Sequence, residues 1–203
     1  MQQLDFGGQM GGAGAISTDI FDFVPAIFPA EASDRYTKAL IAGVPWEQTS
    51  ILIYGKEVRT PRLTAWFGDS DTDYSISGTH ERPHPWRDDL LEIKRRVEEV
   101  SGSWFNGVLL NYYRDGNDSV SWHSDGDGIP GRNLIVASVS FGQERVFDIR
   151  NKSDHKRKFS LLLTDGSYLL MKGDFQDHWQ HRIAKSKKVM GPRVNLTFRV
   201  LRK

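Results

Sequence analysis

A mainly β fold with flanking helices is the class this sequence predicts, and three observations predict it. Short runs rich in Val, Ile, Leu, Phe and Tyr recur along the chain, separated by Gly and Asp: "WFNGVLLNYYRDG", "NLIVASVSFG", "RVFDIRN", "KFSLLLTDGSYLLMKGD", "WQHRIAK" and "RVNLTFRVL". Two other stretches change to the helical spacing of three and four. Most of the strand-like runs follow those two stretches, and helices followed by many strands suit a helix-buttressed sandwich or jelly roll.

In chain order, "FGGQMGGAGA" (6–15) is Gly-rich without apolar periodicity, so residues 1–15 read as a flexible leader before a single domain over 16–203. "PAEASDRYTKALIAG" reads as a helix that follows Pro29 and ends near Gly43. "TSILIYGKEVRTPRLTAWFG" suggests a hairpin with its tip at "YGKE". Residues 68–86 are long, polar and weakly patterned, which suits a lid or binding loop. "DDLLEIKRRVEEVSG" is the clearest helix. Leu90, Ile93, Val97 and Val100 share a face, acids fill the first turn, and Gly102 stands at the stop.

Composition narrows the chemistry. The 203 residues contain no cysteine, which excludes disulfides, thiolate catalysis and cysteine-ligated metals, and fits a reducing cytoplasm. No apolar run reaches the about 18 residues that cross a bilayer, so no membrane partner is expected. The net charge of +1 conceals an asymmetry. Residues 1–149 hold 13 Lys and Arg against 22 Asp and Glu, whereas residues 150–203 hold 14 against 4. Such a basic quarter is either a solvated face that balances the acidic part or a surface for phosphate backbones.

The chemistry concentrates in "DSVSWHSDGDG" (118–128), a strand that ends in side chains which normally avoid strands. Alternation puts His123 and Asp125 on one face, as a strand supplying two metal ligands requires. A second histidine would complete a facial trio with open positions for substrate and oxygen on Fe(II), and both His178 and His181 in "QDHWQHRIA" are candidates. "PRVNLTFRV" places Arg193, Asn195, Thr197 and Arg199 on one face, with Val194, Leu196, Phe198 and Val200 on the other. Two arginines facing a barrel interior need anions, and guanidinium binds carboxylates in two-pronged fashion. Asn111 and Tyr113 share a face and can serve the same anion.

Taken together, "LLNYYRDGNDSVSWHSDGD", "VASVSFG", "DHWQHRI" and "PRVNLTFR", with "TPRLTAWFGD" and "YSISG", resemble the AlkB group of iron- and 2-oxoglutarate-dependent dioxygenases from about Pro61 onward. The resemblance implies a double-stranded β-helix (jelly-roll) core. It implies Fe(II), 2-oxoglutarate as co-substrate and molecular oxygen. The activity it implies is oxidative demethylation of N-alkylated bases of the 1-methyladenine and 3-methylcytosine type in DNA, with RNA as a further candidate and formaldehyde released. By position it assigns His123, Asp125 and His181 to the metal and selects His181 over His178. It assigns Asn111, Tyr113, Arg193 and Arg199 to 2-oxoglutarate. Asp127 matches an acidic base-contacting position, where a carboxylate favours a cationic methylated base. Arg62, Tyr74 and Ser77 fall in a nucleotide-recognition region at about 50–87, and Tyr54 at the hairpin tip matches a wedge that fills the gap left by an extruded base.

One departure stands at Ile76, where relatives present an aromatic ring to the flipped base, leaving His123, Trp66 or Tyr74 to stack in its place. The expected protein is a cytoplasmic monomer that acts on nucleic acid. Two alternatives keep part of the pattern: the same oxygenase chemistry on a tRNA or protein substrate, or a non-catalytic jelly-roll protein with a structural metal.

Overall fold

The computed structural model describes residues 9–11, 14–53, 56–70, 72, 74–76, 79–125 and 135–201. Its first strands are β1 (Gln9–Gly11), β2 (Ala15–Ser17) and β3 (Phe21–Val24), followed by helix α1 (Ala30–Gly43). Next come β4 (Ser50–Ile53), β5 (Lys56–Arg59), β6 (Leu63–Gly68), β7 (Tyr74–Ile76), β8 (Thr79–Glu81) and helix α2 (Asp88–Ser101). The remainder runs β9 (Gly107–Tyr113), β10 (Val120–His123), β11 (Val136–Gly142), β12 (Arg145–Asn151), β13 (Lys158–Leu163), β14 (Tyr168–Met171), α3 (Phe175–His178), β15 (Trp179–Ile183) and β16 (Arg193–Arg199).

A larger sheet has the order β1-β2-β3-β14-β11-β16-β9-β6, and a smaller one β10-β15-β12-β13. From β9 onward the chain passes back and forth between the two sheets, as a jelly roll requires. The expected β fold with flanking helices is therefore the observed one. "KFSLLLTDGSYLLM" makes one such passage: it turns at Gly166, where φ is 72°, and β13 and β14 join different sheets.

Two cores result. Tyr36 and Leu40 of α1 and Leu90, Ile93 and Val97 of α2 pack on the outer face of the larger sheet, against Val108, Leu110, Val139, Phe141, Val194, Leu196 and Phe198. Leu90, Ile93 and Val97 are fully buried, and each such side chain contributes roughly 1.5–3 kcal/mol. The α2 stop falls at Gly102, with φ 64°, the left-handed geometry that glycine adopts without strain. A second core lies between the sheets and includes Phe21, Phe23, Val136, Phe147, Ile149, Leu163, Leu169, Met171 and Ile183. The central strand β16 is thus covered on both faces. Its odd residues face the space between the sheets and its even residues face the helices.

Some details differ from the sequence reading. Residues 9–11, inside the Gly-rich segment, pair with 15–17, and β3 was not anticipated; strands this short carry too few side chains to show a period. The polar stretch 68–86 contains the small hairpin β7–β8. Its backbone pairing needs no apolar alternation, so pattern alone could not reveal it. Trp66 cannot stack on a base. It is 1% exposed, and its Nε1 donates to the Thr72 carbonyl (3.1 Å). The indole lies where a Cβ on Gly107 would stand, which is why β9 begins with glycine.

Candidate active site

β9, β11 and β16 are adjacent in the larger sheet, and their inward side chains face those of β10, β12 and β15 across a cavity of about 230 Å³. Into it point His123, Asp125 and His181 on one side and Asn111, Tyr113, Arg193 and Arg199 on the other, with Arg62 at its wall. Seven residues spread over 89 positions of sequence share one cavity because alternating strands return to it from both sheets.

His123 pairs with His181 across the β10–β15 ladder, and their rings meet edge to face with centroids 4.3 Å apart. Asp125 stands just beyond the end of β10, where its backbone N–H donates to Gln176 Oε1 (2.7 Å). Its carboxylate oxygens lie 3.6 Å from His123 Nε2 and 3.5 Å from His181 Nε2. Both separations are within the about 4.2 Å that two ligands can span when each sits about 2.1 Å from one ion. These three residues form the one cluster of potential ligands among the described residues, with ligand atoms within 4.8 Å of one another. His178 lies elsewhere, exposed and beside Asp174 (3.8 Å).

The electrostatics suit a cation. Burial and the neighbouring His123 push His181 down to about 3, so at neutral pH it is an uncharged imidazole with a lone pair to donate. Burial alone would raise the Asp125 carboxyl. The Arg199 guanidinium, then His181 and His123, outweigh that and hold it well below the usual carboxylate range. Arg199 makes the closest of these contacts, with Nη2 donating to Asp125 Oδ1 at 2.8 Å. The family resemblance assigns Arg199 to 2-oxoglutarate alone, and its contact with Asp125 has no signal in the sequence.

The opposite end of the cavity suits an anion. Arg193 is 1% exposed; its Nη2 donates to Ser140 Oγ (2.9 Å), and its Nε and Nη1 have no hydrogen-bond partner among the described residues. Burial pushes the guanidinium down to about 10, so it is still a cation at neutral pH. A buried cation with N–H groups left unpaired on two nitrogens is costly, and an anion in the cavity would offer them acceptors. The Tyr113 ring sits beneath two guanidinia, 5.0 Å from Arg193 and 5.6 Å from Arg145. Asn111 accepts from Arg62 Nε (2.7 Å), so a residue expected on the nucleotide side is tied to one expected on the anion side. Asn195 and Ser138 also line the cavity, joined at 2.8 Å. The sequence reading gave them no role, although the spacing of Ser138 and Ser140 in "VASVSFG" was the available signal.

Of the remaining expected residues, Tyr74 lies on β7, paired with Glu81. Tyr54, Ser77 and Asp127 lie outside the described residues. The two strands on either side of residue 54, β4 and β5, pair as expected, with Ile53 opposite Lys56.

Residues 21–199 match the family profile described as 2OG-Fe(II) oxygenase superfamily. The chain belongs to that superfamily, in its AlkB group. Fe(II) and 2-oxoglutarate are the cofactors that go with membership, and both ends of the cavity fit them: a His-Asp-His trio for the metal, a buried and only partly paired guanidinium for a dicarboxylate. The chain is 37% identical over 185 residues to alpha-ketoglutarate-dependent dioxygenase alkB homolog 3 of Homo sapiens, covering 87% of this chain and 64% of that protein. It is 38% identical over 156 residues to DNA oxidative demethylase ALKBH2 of Homo sapiens, covering 73% and 60%. To the ALKBH2 of Arabidopsis thaliana it is 33% identical over 205 residues, covering 88% and 65%. The chain thus spans somewhat less than two thirds of the length of these relatives. The solved structure of OsALKBH1 shares the fold, with a TM-score of 0.65 at 14% identity over 92% of this chain and the whole of that one. No helix among the described residues is long and apolar enough to cross a membrane.

Proposed function

We propose that this protein oxidatively demethylates N-alkylated bases, of the 1-methyladenine and 3-methylcytosine type, in DNA and also in RNA. One observation carries the reading. A single cavity holds three converging metal ligands at one end and a buried, partly unpaired guanidinium at the other, in a chain whose relatives include DNA oxidative demethylases. In this reading His123, Asp125 and His181 hold Fe(II), and Asn111, Tyr113, Arg193 and Arg199 receive 2-oxoglutarate. Iron with 2-oxoglutarate and molecular oxygen supplies the oxidation of the N-methyl group to N-hydroxymethyl, which then loses formaldehyde.

The residues of the chain set the positions. Arg193 would hold a carboxylate of the co-substrate with N–H groups that have no other partner among the described residues, and the Tyr113 ring supports the guanidinium from beneath. Arg199 holds Asp125 ionised and in place as a ligand. Arg62 links Asn111 to the cavity wall, where the nucleotide enters. Asp127 provides the negative charge that favours a cationic lesion, Tyr74 and Ser77 approach the extruded base, and Tyr54 fills its vacated stack. The excess of Lys and Arg over 150–203 attracts the phosphate backbone.

Formaldehyde release from methylated single-stranded DNA, duplex DNA and RNA oligonucleotides tests this directly. Release is expected from DNA and RNA when iron and 2-oxoglutarate are supplied, with none in the absence of either. Turnover of 2-oxoglutarate with tRNA or protein substrates but no release from any methylated oligonucleotide would move the activity to the alternative substrate class. No turnover with any substrate would leave a binding protein.

A further inference from the structure

Strand β10 reaches the metal ligands by an irregular route. Val120 pairs with Ile183 and His123 pairs with His181, so three steps along β10 oppose two along β15. One extra residue is accommodated, leaving Ser121 and Trp122 opposite Arg182: a β-bulge. Simple alternation would send Val120 and His123 to opposite faces of the sheet. With the bulge, both line the cavity, while Ser121 and Trp122 remain on the outside. The orientation of His123 therefore depends on whatever keeps the bulge in place.

The outer face supplies that restraint. The half-buried Trp122 indole lies under two guanidinia, with Arg150 4.2 Å and Arg182 4.6 Å from the ring. Each cation is fixed in turn. Arg182 Nε donates to Asp148 Oδ2 (2.8 Å), and Arg150 donates from Nε and Nη2 to Gln180 Oε1 (3.1 and 2.9 Å). The ring of β10 is thereby tied to β15 and β12, although the ladder itself pairs β10 at two positions only. On the inner side, His123 Nδ1 lies 2.8 Å from the carbonyl oxygen of Ser121, within the bulge. A carbonyl only accepts, so Nδ1 carries a hydrogen, and Nε2 is the ring nitrogen that faces Asp125.

We propose that Trp122 is a positioning residue for the metal centre. Clamped by Arg150 and Arg182, it holds the bulge that turns His123 inward and fixes its tautomer. The proposal rests on reading His123, Asp125 and His181 as the metal ligands.

Mn(II) titrated into the metal-free full chain tests it without relying on turnover. Trp122→Ala should bind Mn(II) roughly tenfold more weakly, the scale on which the supporting partners of metal ligands act. Trp122→Phe keeps a ring under the guanidinia and should recover most of that loss. Val146→Ala, on the same outer face and exposed, should bind as the wild type does. Nitrogen NMR of the metal-free protein should show His123 protonated at Nδ1 in the wild type and a mixture of tautomers in Trp122→Ala. Should Trp122→Ala fail to fold, Arg182→Met removes one arm of the clamp and should weaken Mn(II) in the same direction. Wild-type affinity in Trp122→Ala, or an equal loss in Val146→Ala, overturns the proposal. His181→Ala separates the two claims: if it binds Mn(II) as tightly as the wild type, the ligand assignment has failed rather than the role of Trp122.

Discussion

His181→Ala is expected to abolish iron-dependent turnover, while His178→Ala leaves it intact. His181 is buried, uncharged at neutral pH and 3.5 Å from Asp125; His178 is exposed and away from the cluster. Removing one of three protein ligands should cost more than the roughly 10–100-fold that follows loss of a ligand's hydrogen-bond partner. The same loss is expected for His123→Ala and Asp125→Ala. Asp125→Ala carries a second penalty, because it removes the carboxylate that accepts from the buried Arg199 Nη2. Assays at saturating iron and 2-oxoglutarate decide the matter. Full activity in His181→Ala with loss in His178→Ala would reverse the choice of histidine.

Arg193→Met should all but eliminate 2-oxoglutarate binding without lowering the stability of the ligand-free protein. Losing one partner of a desolvated charge pair typically costs about 3–5 kcal/mol, which is at least about a hundredfold in affinity. In the ligand-free chain the same guanidinium keeps one hydrogen bond, to Ser140 Oγ, and leaves Nε and Nη1 without a partner among the described residues, so methionine of similar length gives up that bond but removes a largely unsatisfied buried cation. The expected signature is therefore a thermal unfolding midpoint equal to or above that of the wild type, with the rise caused by added 2-oxoglutarate lost. Undiminished stabilisation by 2-oxoglutarate in Arg193→Met would remove Arg193 from the co-substrate site.

The sequence made the polar side of β16 legible because its alternation is uninterrupted. Arg193, Asn195, Thr197 and Arg199 fall on one face and Val194, Leu196 and Phe198 on the other, and the strand is covered on both. The same rule gave the right neighbours for the wrong reason at "SVSWHSD". His123 and Asp125 do converge, but β10 ends at His123, and the bulge at Ser121–Trp122 determines which way His123 points. An inserted residue leaves no mark on an alternation pattern that short. The ion pair of Arg199 with Asp125 joins positions 74 apart and depends on two sheets meeting, which no local pattern encodes. Burial of Trp66 depends likewise on the glycine that opens β9, a pairing visible only once β6 and β9 lie side by side.

Base demethylation by this protein is tested most directly by the mass of a single-stranded DNA oligonucleotide carrying one 1-methyladenine, measured after incubation with the protein, Fe(II), 2-oxoglutarate and oxygen. Conversion to the unmodified oligonucleotide is expected, with one formaldehyde and one succinate formed per lesion removed, and no conversion by His181→Ala. An oligonucleotide of unchanged mass, alongside wild-type protein that binds Mn(II) and 2-oxoglutarate normally, would contradict the proposed demethylation.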